Sequence, residues 1–240
     1  MEKLIFLMPH VLQGVVYPFT WVAFRVFAHL RIIGKEYPRA LSRGAIFAAN
    51  HVSQLDPILI PATLKLFSKV FPVYYTSLDR SFYAETQKNK ILLFLYGGFF
   101  FKIWGAYPIM RGTGDYETAL AHHIRIIERG KSVVIFPEGG KSRDGALREG
   151  KPGVAYLAWR TGVPVVPVAL VGHHDMGWSK FFARRNYLTV SYGAPISRDE
   201  LFPHNRTTPP TQEELKEAAK MIMERIKKLI EEGPGVGNKS

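Results

Sequence analysis

The chain has 240 residues, enough for one domain with a sizeable core, and it contains no cysteine. The missing thiols exclude a disulfide scaffold, a Cys-ligated metal and a covalent thiol mechanism. Lys and Arg total 32 against 20 Asp and Glu, a formal charge of +12, so either the excess serves solubility or the partner is a polyanion: nucleic acid, an anionic membrane surface or a phosphorylated ligand.

The first thirty-three residues, "MEKLIFLMPHVLQGVVYPFTWVAFRVFAHLRII", are apolar but interrupted by Pro9, His10, Gln13, Gly14, Pro18 and Arg25. The thin basic start and the lack of a small-x-small site argue against a signal peptide. The uninterrupted runs are short for a clean transmembrane span. The expected structure is two short helices joined near Gly14 to Pro18, lying in one leaflet or packed on the core. Phe and Tyr gather in such stretches rather than alternating with Lys and Arg. No helix-turn-helix or zinc-finger spacing is visible either, so a membrane is favoured over nucleic acid.

"GKEYP" reads as a turn and "AIFAAN" (Ala45 to Asn50) as a short buried strand. "DPILIPATLKLF" reads as a helix with Pro57 in its first turn. "KVFPVYY" is a second strand. "ILLFLYGGFFFKIW" (Ile91 to Trp104) is apolar but short for a spanning helix, and is either a core helix or a second membrane-contacting stretch. "AYPIM" is a strand. In "GDYETALAHHIRIIERG" the positions Ala119, Leu120, Ile124 and Ile127 form a helical stripe that stops at Gly130. "SVVIF" is a buried strand, "GVAYLAWRTG" a helix ended by Gly162, and "YLTVSYG" (Tyr187 to Gly193) another strand. The two prolines of "VPVVPVALVG" place that strand at an edge or a strand end. A last helix opens on a Thr211-x-x-Glu214 capping box and carries Leu215, Ala218, Ile222, Ile226 and Leu229 on one face.

Alternating strands and helices predict an α/β fold: a mixed, largely parallel sheet flanked by helices, with the two-helix element before it. Residues 1–33 form the membrane-associating element, 34–232 the main domain and 233–240 a frayed tail. Ligands of such sheets collect beyond the carboxyl ends of the strands. Two polar loops, "NHVSQLD" and "PEGGKSRDG", directly follow strands.

In "NHVSQLD", Asp56-Pro57 can cap a helix, and Ser53-x-x-Asp56 can form a capping box. Neither accounts for Asn50-His51 at a strand end. His51 and Asp56 lie close enough along the chain to meet across a tight turn. A carboxylate on one imidazole nitrogen fixes the tautomer and leaves the other nitrogen as a general base. Elsewhere, "GKSRD" falls one residue short of a nucleophile elbow. The adjacent histidines of "GHHDMGW" lack a third ligand at metal spacing and read as a polar loop that could border the site. His122 and His123 sit mid-helix and read as structural or surface groups.

Four blocks in order then resemble the glycerolipid acyltransferases of the 1-acylglycerol-3-phosphate acyltransferase type. Asn50-His51-x-Ser53-x-x-Asp56 resembles their NHx4D signature. "GAYPIMR" (Gly105 to Arg111), "FPEGGKS" (Phe136 to Ser142) and "VPVVPVAL" (Val163 to Leu170) resemble the second, third and fourth blocks. The apolar start resembles the two-helix membrane element of bacterial members.

The resemblance implies transfer of an acyl group from acyl-CoA or acyl carrier protein to a lipid hydroxyl, with His51 as base and Asp56 orienting it. It implies phosphate binding by Arg111. It places Asn50, Ser53, Glu138, Gly139, Gly140, Lys141, Ser142 and Arg143 around the substrates. No metal or cofactor is expected. The expected partners are membrane lipids at the cytoplasmic face of the inner membrane, not nucleic acid; the oligomeric state stays open. Gly140 stands where the family has Thr and Lys141 where it has Arg, losing a bidentate fork. The acceptor therefore stays open between lysophosphatidic acid and another phospho-, amino- or glycolipid. A non-enzymatic anionic-lipid binder is the remaining alternative, and it has no use for the His51–Asp56 pair.

Overall fold

The computed structural model describes residues 2–77, 99–110, 115–174, 176, 178–183, 187–204 and 208–233. Seven strands form one sheet: β1 (Arg31–Ile33), β2 (Ile46–Ala49), β3 (Val73–Ser77), β4 (Ala106–Pro108), β5 (Ser132–Ile135), β6 (Val165–Val171) and β7 (Thr189–Tyr192). Their spatial order is β1-β7-β6-β2-β5-β3-β4. Among the described residues every neighbouring pair is parallel except β6–β7.

β2 lies at the centre, with Ile46 opposite Val133 of β5 on one side and Val165 of β6 on the other. All four of its residues are buried, as expected for a parallel strand covered on both faces. Its period-2 alternation divides the core. Ile46 and Ala48 pack with α6 (Ala121–Glu128), α7 (Gly153–Thr161) and α10 (Gln212–Glu232). Phe47 and Ala49 face the other layer, with Phe24 of α1 (Glu2–Ala28) and Leu59 and Ile60 of α3 (Asp56–Thr63). The shorter helices are α2 (Glu36–Ala40), α4 (Phe99–Trp104), α5 (Tyr116–Ala119), α8 (Trp178–Phe182) and α9 (Arg198–Leu201).

Many local signals act as read. Thr211 and Glu214 close a reciprocal capping box on α10, and Leu215, Ala218, Ile222 and Ile226 are buried. Gly162 ends α7 with a positive φ of 65°. The segment before Gly130 breaks at Leu120 into α5 and α6, and Asp115 caps α5 by accepting from Thr118 N. "GKEYP" runs into the short helix α2 rather than ending as a turn.

Two expectations are corrected. The first concerns β6, which is interior, not an edge strand. Pro167 is tolerated there because of the side its nitrogen faces. Its carbonyl, which points the same way, accepts Gly193 N at 2.9 Å. The antiparallel ladder to β7 begins only at Val168 opposite Tyr192. The missing N–H therefore removes no ladder bond.

The second concerns the N-terminal element, which is one helix rather than two, and Arg31–Ile33 belongs to the sheet. Gln13 fixes the middle of α1. Its amide nitrogen donates to Val73 O (2.7 Å) and Trp104 O (2.9 Å), and its oxygen accepts from Val73 N (3.2 Å). Gly14 stands one turn before Pro18, where the proline ring crowds the preceding carbonyl. Pro9, Gln13, Phe24 and Ala28 face the protein, whereas Leu7, Val11, Val15, Phe19, Val22 and Val26 are exposed. The 22 residues Leu7–Ala28 are long and apolar enough to cross a membrane by length and composition. Of the apolar stretch Ile91 to Trp104, residues 99–104 form α4 and the rest lies outside the described residues, as does Arg111.

Candidate active site

Because β2, β5 and β6 are parallel neighbours, their carboxyl ends lie at one edge of the sheet. Three loops meet there: 50–55 after β2, 136–152 after β5 and, after β6, the segment with His173 and Met176. This is the position at which open α/β sheets hold ligands.

The turn after β2 brings His51 and Asp56 together, with His51 Nδ1 2.7 Å from Asp56 Oδ2. Asp56 is the first residue of α3 but does not cap it: Leu55 holds the cap position with no side-chain cap hydrogen bond, contrary to the capping expectation, and the carboxylate points back into the turn. Oδ2 also accepts from Val52 N (2.8 Å) and Ser53 N (3.0 Å), so the carboxylate curls the loop around itself. Burial pushes the Asp56 carboxyl up; hydrogen bonds from His173 and His51 outweigh that and hold it below its ordinary value. Asp56 is therefore an anion at neutral pH. The His51 side chain keeps 20% exposure and Asp56 none. The His51 ring stacks on Phe136, with centroids 4.2 Å apart and planes at 21°. With Nδ1 engaged, Nε2 is the ring nitrogen left to act as a base.

The remaining candidates divide into inward and outward groups. Asn50 is buried, and its carboxamide acts as one more peptide unit of β2. It donates to Leu170 O at 2.9 Å and accepts from Leu170 N at 2.7 Å, which prolongs the β2–β6 ladder. Ser53 is fully buried, donating to Met176 O (3.2 Å) and accepting from Leu55 N (3.1 Å). Glu138 also turns inward. Oε1 accepts from His51 N at 2.8 Å, and Oε2 takes Arg148 N at 3.1 Å, with Arg148 Nε at 3.5 Å. Ser142 N donates to His51 O at 2.7 Å. Its buried hydroxyl lies 2.9 Å from Ala146 O and 3.0 Å from Asp144 Oδ1. Both main-chain polar groups of His51 are thus held by the loop after β5.

Gly139 has φ 72°, and a Cβ there would lie 2.6 Å from Lys151 Nζ. Gly140 O accepts from the Arg148 guanidinium. Lys141, Arg143, Arg148 and Lys151 are exposed on the same loop, as are Asp144 and Glu149.

Sequence reasoning gave His173 no role at the dyad. It is buried, and its Nε2 lies 2.5 Å from Asp56 Oδ1, so Asp56 sits between two histidines. The available signal was positional: "GHHDM" follows the strand next to β2, just as the other two loops follow theirs. Among the described residues no cluster of His, Cys, Asp and Glu is suited to a metal ion. His123 is a structural group of α6, with Nε2 3.4 Å from Tyr75 O and burial pushing its imidazole down to about 4.

An anion-backed histidine at the carboxyl edge of a largely parallel sheet with helices on both faces marks an α/β protein with a candidate site at the usual place for one. The comparisons carry this to a family. A family model described as Acyltransferase matches residues 29–171, and the chain belongs to that family. A 1-acyl-sn-glycerol-3-phosphate acyltransferase of Limnanthes douglasii is 37% identical over 119 residues, covering 41% of this chain and 40% of that protein. The chloroplastic 1-acyl-sn-glycerol-3-phosphate acyltransferase LPAT1 of Arabidopsis thaliana is 30% identical over 149 residues, covering 61% and 37%. The matches thus span only about 40% of the length of these curated relatives. The crystal structure of the 1-acyl-sn-glycerophosphate (LPA) acyltransferase PlsC from Thermotoga maritima shares the fold. Its TM-score is 0.62 at 21% identity, covering 93% of this chain and 80% of that one.

Proposed function

We propose that this chain transfers a fatty acyl group from a thioester, acyl-CoA or acyl carrier protein, to the free hydroxyl of lysophosphatidic acid, giving phosphatidic acid. The observation that carries the reading is the 2.7 Å contact between His51 Nδ1 and the buried Asp56 carboxylate, which leaves Nε2 for a substrate. The relatives named for this activity support the choice of acceptor.

His51 Nε2 takes the proton of the acceptor hydroxyl as its oxygen attacks the thioester carbonyl. The tetrahedral intermediate collapses, the C–S bond breaks, and the proton on His51 passes to the departing sulfur. Asp56 balances the imidazolium that exists between these steps. No acyl-enzyme is needed, which suits a chain without cysteine. Lys141, Arg143, Arg148 and Lys151 of the loop after β5 outnumber its exposed Asp144 and Glu149, a balance that favours a phosphate head group. Arg111 is proposed as a further phosphate ligand on the strength of its place in the second block.

The outer face of α1 supports a membrane-bound site. The helix rests one face in turn on α3, α4 and α8, so it is proposed to lie in one leaflet with Leu7, Val11 and Val15 toward the acyl chains. Trp21 with Arg25 over its ring, 4.4 Å from the centroid, suits the head-group level. The cytoplasmic face of the inner membrane is the proposed location.

The test is an acceptor panel with labelled acyl-CoA and acyl-acyl carrier protein, setting lysophosphatidic acid beside non-phosphate lysolipids. Transfer to lysophosphatidic acid should dominate, and His51→Ala should lower it at least a hundredfold while vesicle binding persists. Robust transfer to other lysolipids with none to lysophosphatidic acid would sink the choice of acceptor. Full turnover in His51→Ala would sink the mechanism.

A further inference from the structure

We infer that His173 is a positioning residue of the His51–Asp56 pair. Its imidazole, neutral with its proton on Nε2, donates to Asp56 Oδ1 and holds the carboxylate so that Oδ2 faces His51. The inference rests on the reading of His51 as the general base.

The two carboxylate oxygens have separate duties. Oδ2 takes three donors, His51 Nδ1, Val52 N and Ser53 N, at 2.7, 2.8 and 3.0 Å. Oδ1 has His173 Nε2 at 2.5 Å, from a residue 117 positions away in sequence. Both side chains have zero exposure. Without His173, Oδ1 is a buried anionic oxygen that has lost this donor. The carboxylate then rotates toward other donors or takes up a proton, and each course moves Oδ2, or its charge, away from His51.

The tautomer follows from the other nitrogen. His173 Nδ1 is buried with no hydrogen-bonding partner among the described residues. An unpaired lone pair is tolerated there far better than an unpaired N–H or a full charge. The proton therefore sits on Nε2. A neutral donor leaves the single negative charge of Asp56 to the imidazolium that His51 becomes. A second cation would cancel it.

The loop is built to hold this ring. Gly172 turns the chain directly after β6 with φ 93°, and a Cβ there would lie 1.9 Å from Tyr187 O, so the position accepts only glycine. His173 O then accepts Met176 N at 3.1 Å, and Met176 O accepts the Ser53 hydroxyl at 3.2 Å. The strap is thus fastened to the turn that carries Asp56 through Met176 as well as through the His173–Asp56 bond.

The experiment uses the full chain in phospholipid vesicles with lysophosphatidic acid and palmitoyl-CoA or palmitoyl-acyl carrier protein, whichever the wild type uses faster. His173→Leu removes the donor and keeps most of the volume. His173→Gln places an amide N–H near the position of Nε2, and His173→Asn falls one methylene short. Thermal melting accompanies each. His173→Leu and His173→Asn should lower kcat tenfold or more with the acceptor KM within about twofold, and His173→Gln should restore at least a third of the wild-type kcat. Wild-type kcat in His173→Leu, or equal losses in Gln and Asn, overturns the inference. His51→Ala is the control that separates the two claims. An inactive His51→Ala beside a fully active His173→Leu refutes the positioning role alone, whereas an active His51→Ala refutes the base on which it rests.

Discussion

Glu138→Ala tests whether the loop after β5 serves the base or the substrate. The Glu138 side chain is fully buried, and its Oε1 holds His51 N at 2.8 Å while Oε2 holds Arg148 N at 3.1 Å. A hydrogen bond to a charged group contributes about 1.5–3 kcal/mol, and a buried donor left unpaired costs about 1–3 kcal/mol. The 3.5 Å contact to Arg148 Nε adds little, because the Arg148 side chain is 47% exposed. Removing the carboxylate should therefore destabilise the fold by roughly 2–4 kcal/mol, a fall in Tm of roughly 5–10 °C for a domain of this size. The freed His51 main chain shifts the imidazole, and a displacement of about 1 Å costs up to about a hundredfold in rate.

The expected result is a kcat lowered ten- to a hundredfold with the acceptor KM nearly unchanged. Glu138→Gln should be milder. Its amide oxygen can stay on His51 N while the NH2 group faces the exposed Arg148, which water can resolvate. Steady-state kinetics on both variants, with melting curves, decide the matter. A tenfold rise in acceptor KM at constant kcat would show Glu138 to be a substrate contact and refute the reasoning.

Two other expectations follow from buried groups. Asn50→Ala leaves both Leu170 N and Leu170 O without their partners at 2.7 and 2.9 Å, and should cost about 2–4 kcal/mol in urea unfolding; a loss below 0.5 kcal/mol would contradict its role as a ladder unit. His123 makes the fold acid-sensitive. Its imidazole is pushed from 6.5 to about 4 in the fold, so the unfolded chain binds the extra proton between those values. The stability is complete above pH 6.5 and declines as pH falls toward about 4, by up to about 3 kcal/mol. His123→Leu should flatten the stability profile in that window, and an unchanged slope would exclude His123 as its source.

What the sequence made legible was local. The His51–Asp56 pair lies within one turn, so chain geometry alone could bring the groups together. Runs such as "AIFAA" and "SVVIF" announce buried parallel strands because both faces are covered. The orientation of the block residues was not legible. Asn50, Ser53 and Glu138 turn inward because Leu170, Met176 and the His51 main chain receive them, and those partners lie 120, 123 and 87 positions away. Only the spatial order of strands reveals such neighbours, and the same order brings His173 to Asp56. Pro167 shows a related limit: a proline's cost in a strand depends on which side its nitrogen faces, and that is a property of the sheet. The single helix α1 likewise depends on β3 and α4, whose main chain receives Gln13.

The double grip on His51, through Glu138 and Ser142 N, bears on redesign. A loop of 136–152 exchanged whole for another acyltransferase's, to change head-group choice, would exchange the bracket of the base as well. Specificity and rate would then change together, and a dead chimera would say nothing about recognition. Grafts that keep positions 138, 139, 142 and 144 and vary 140, 141 and 143 separate the two, because they leave the bracket native and alter only exposed side chains of the loop.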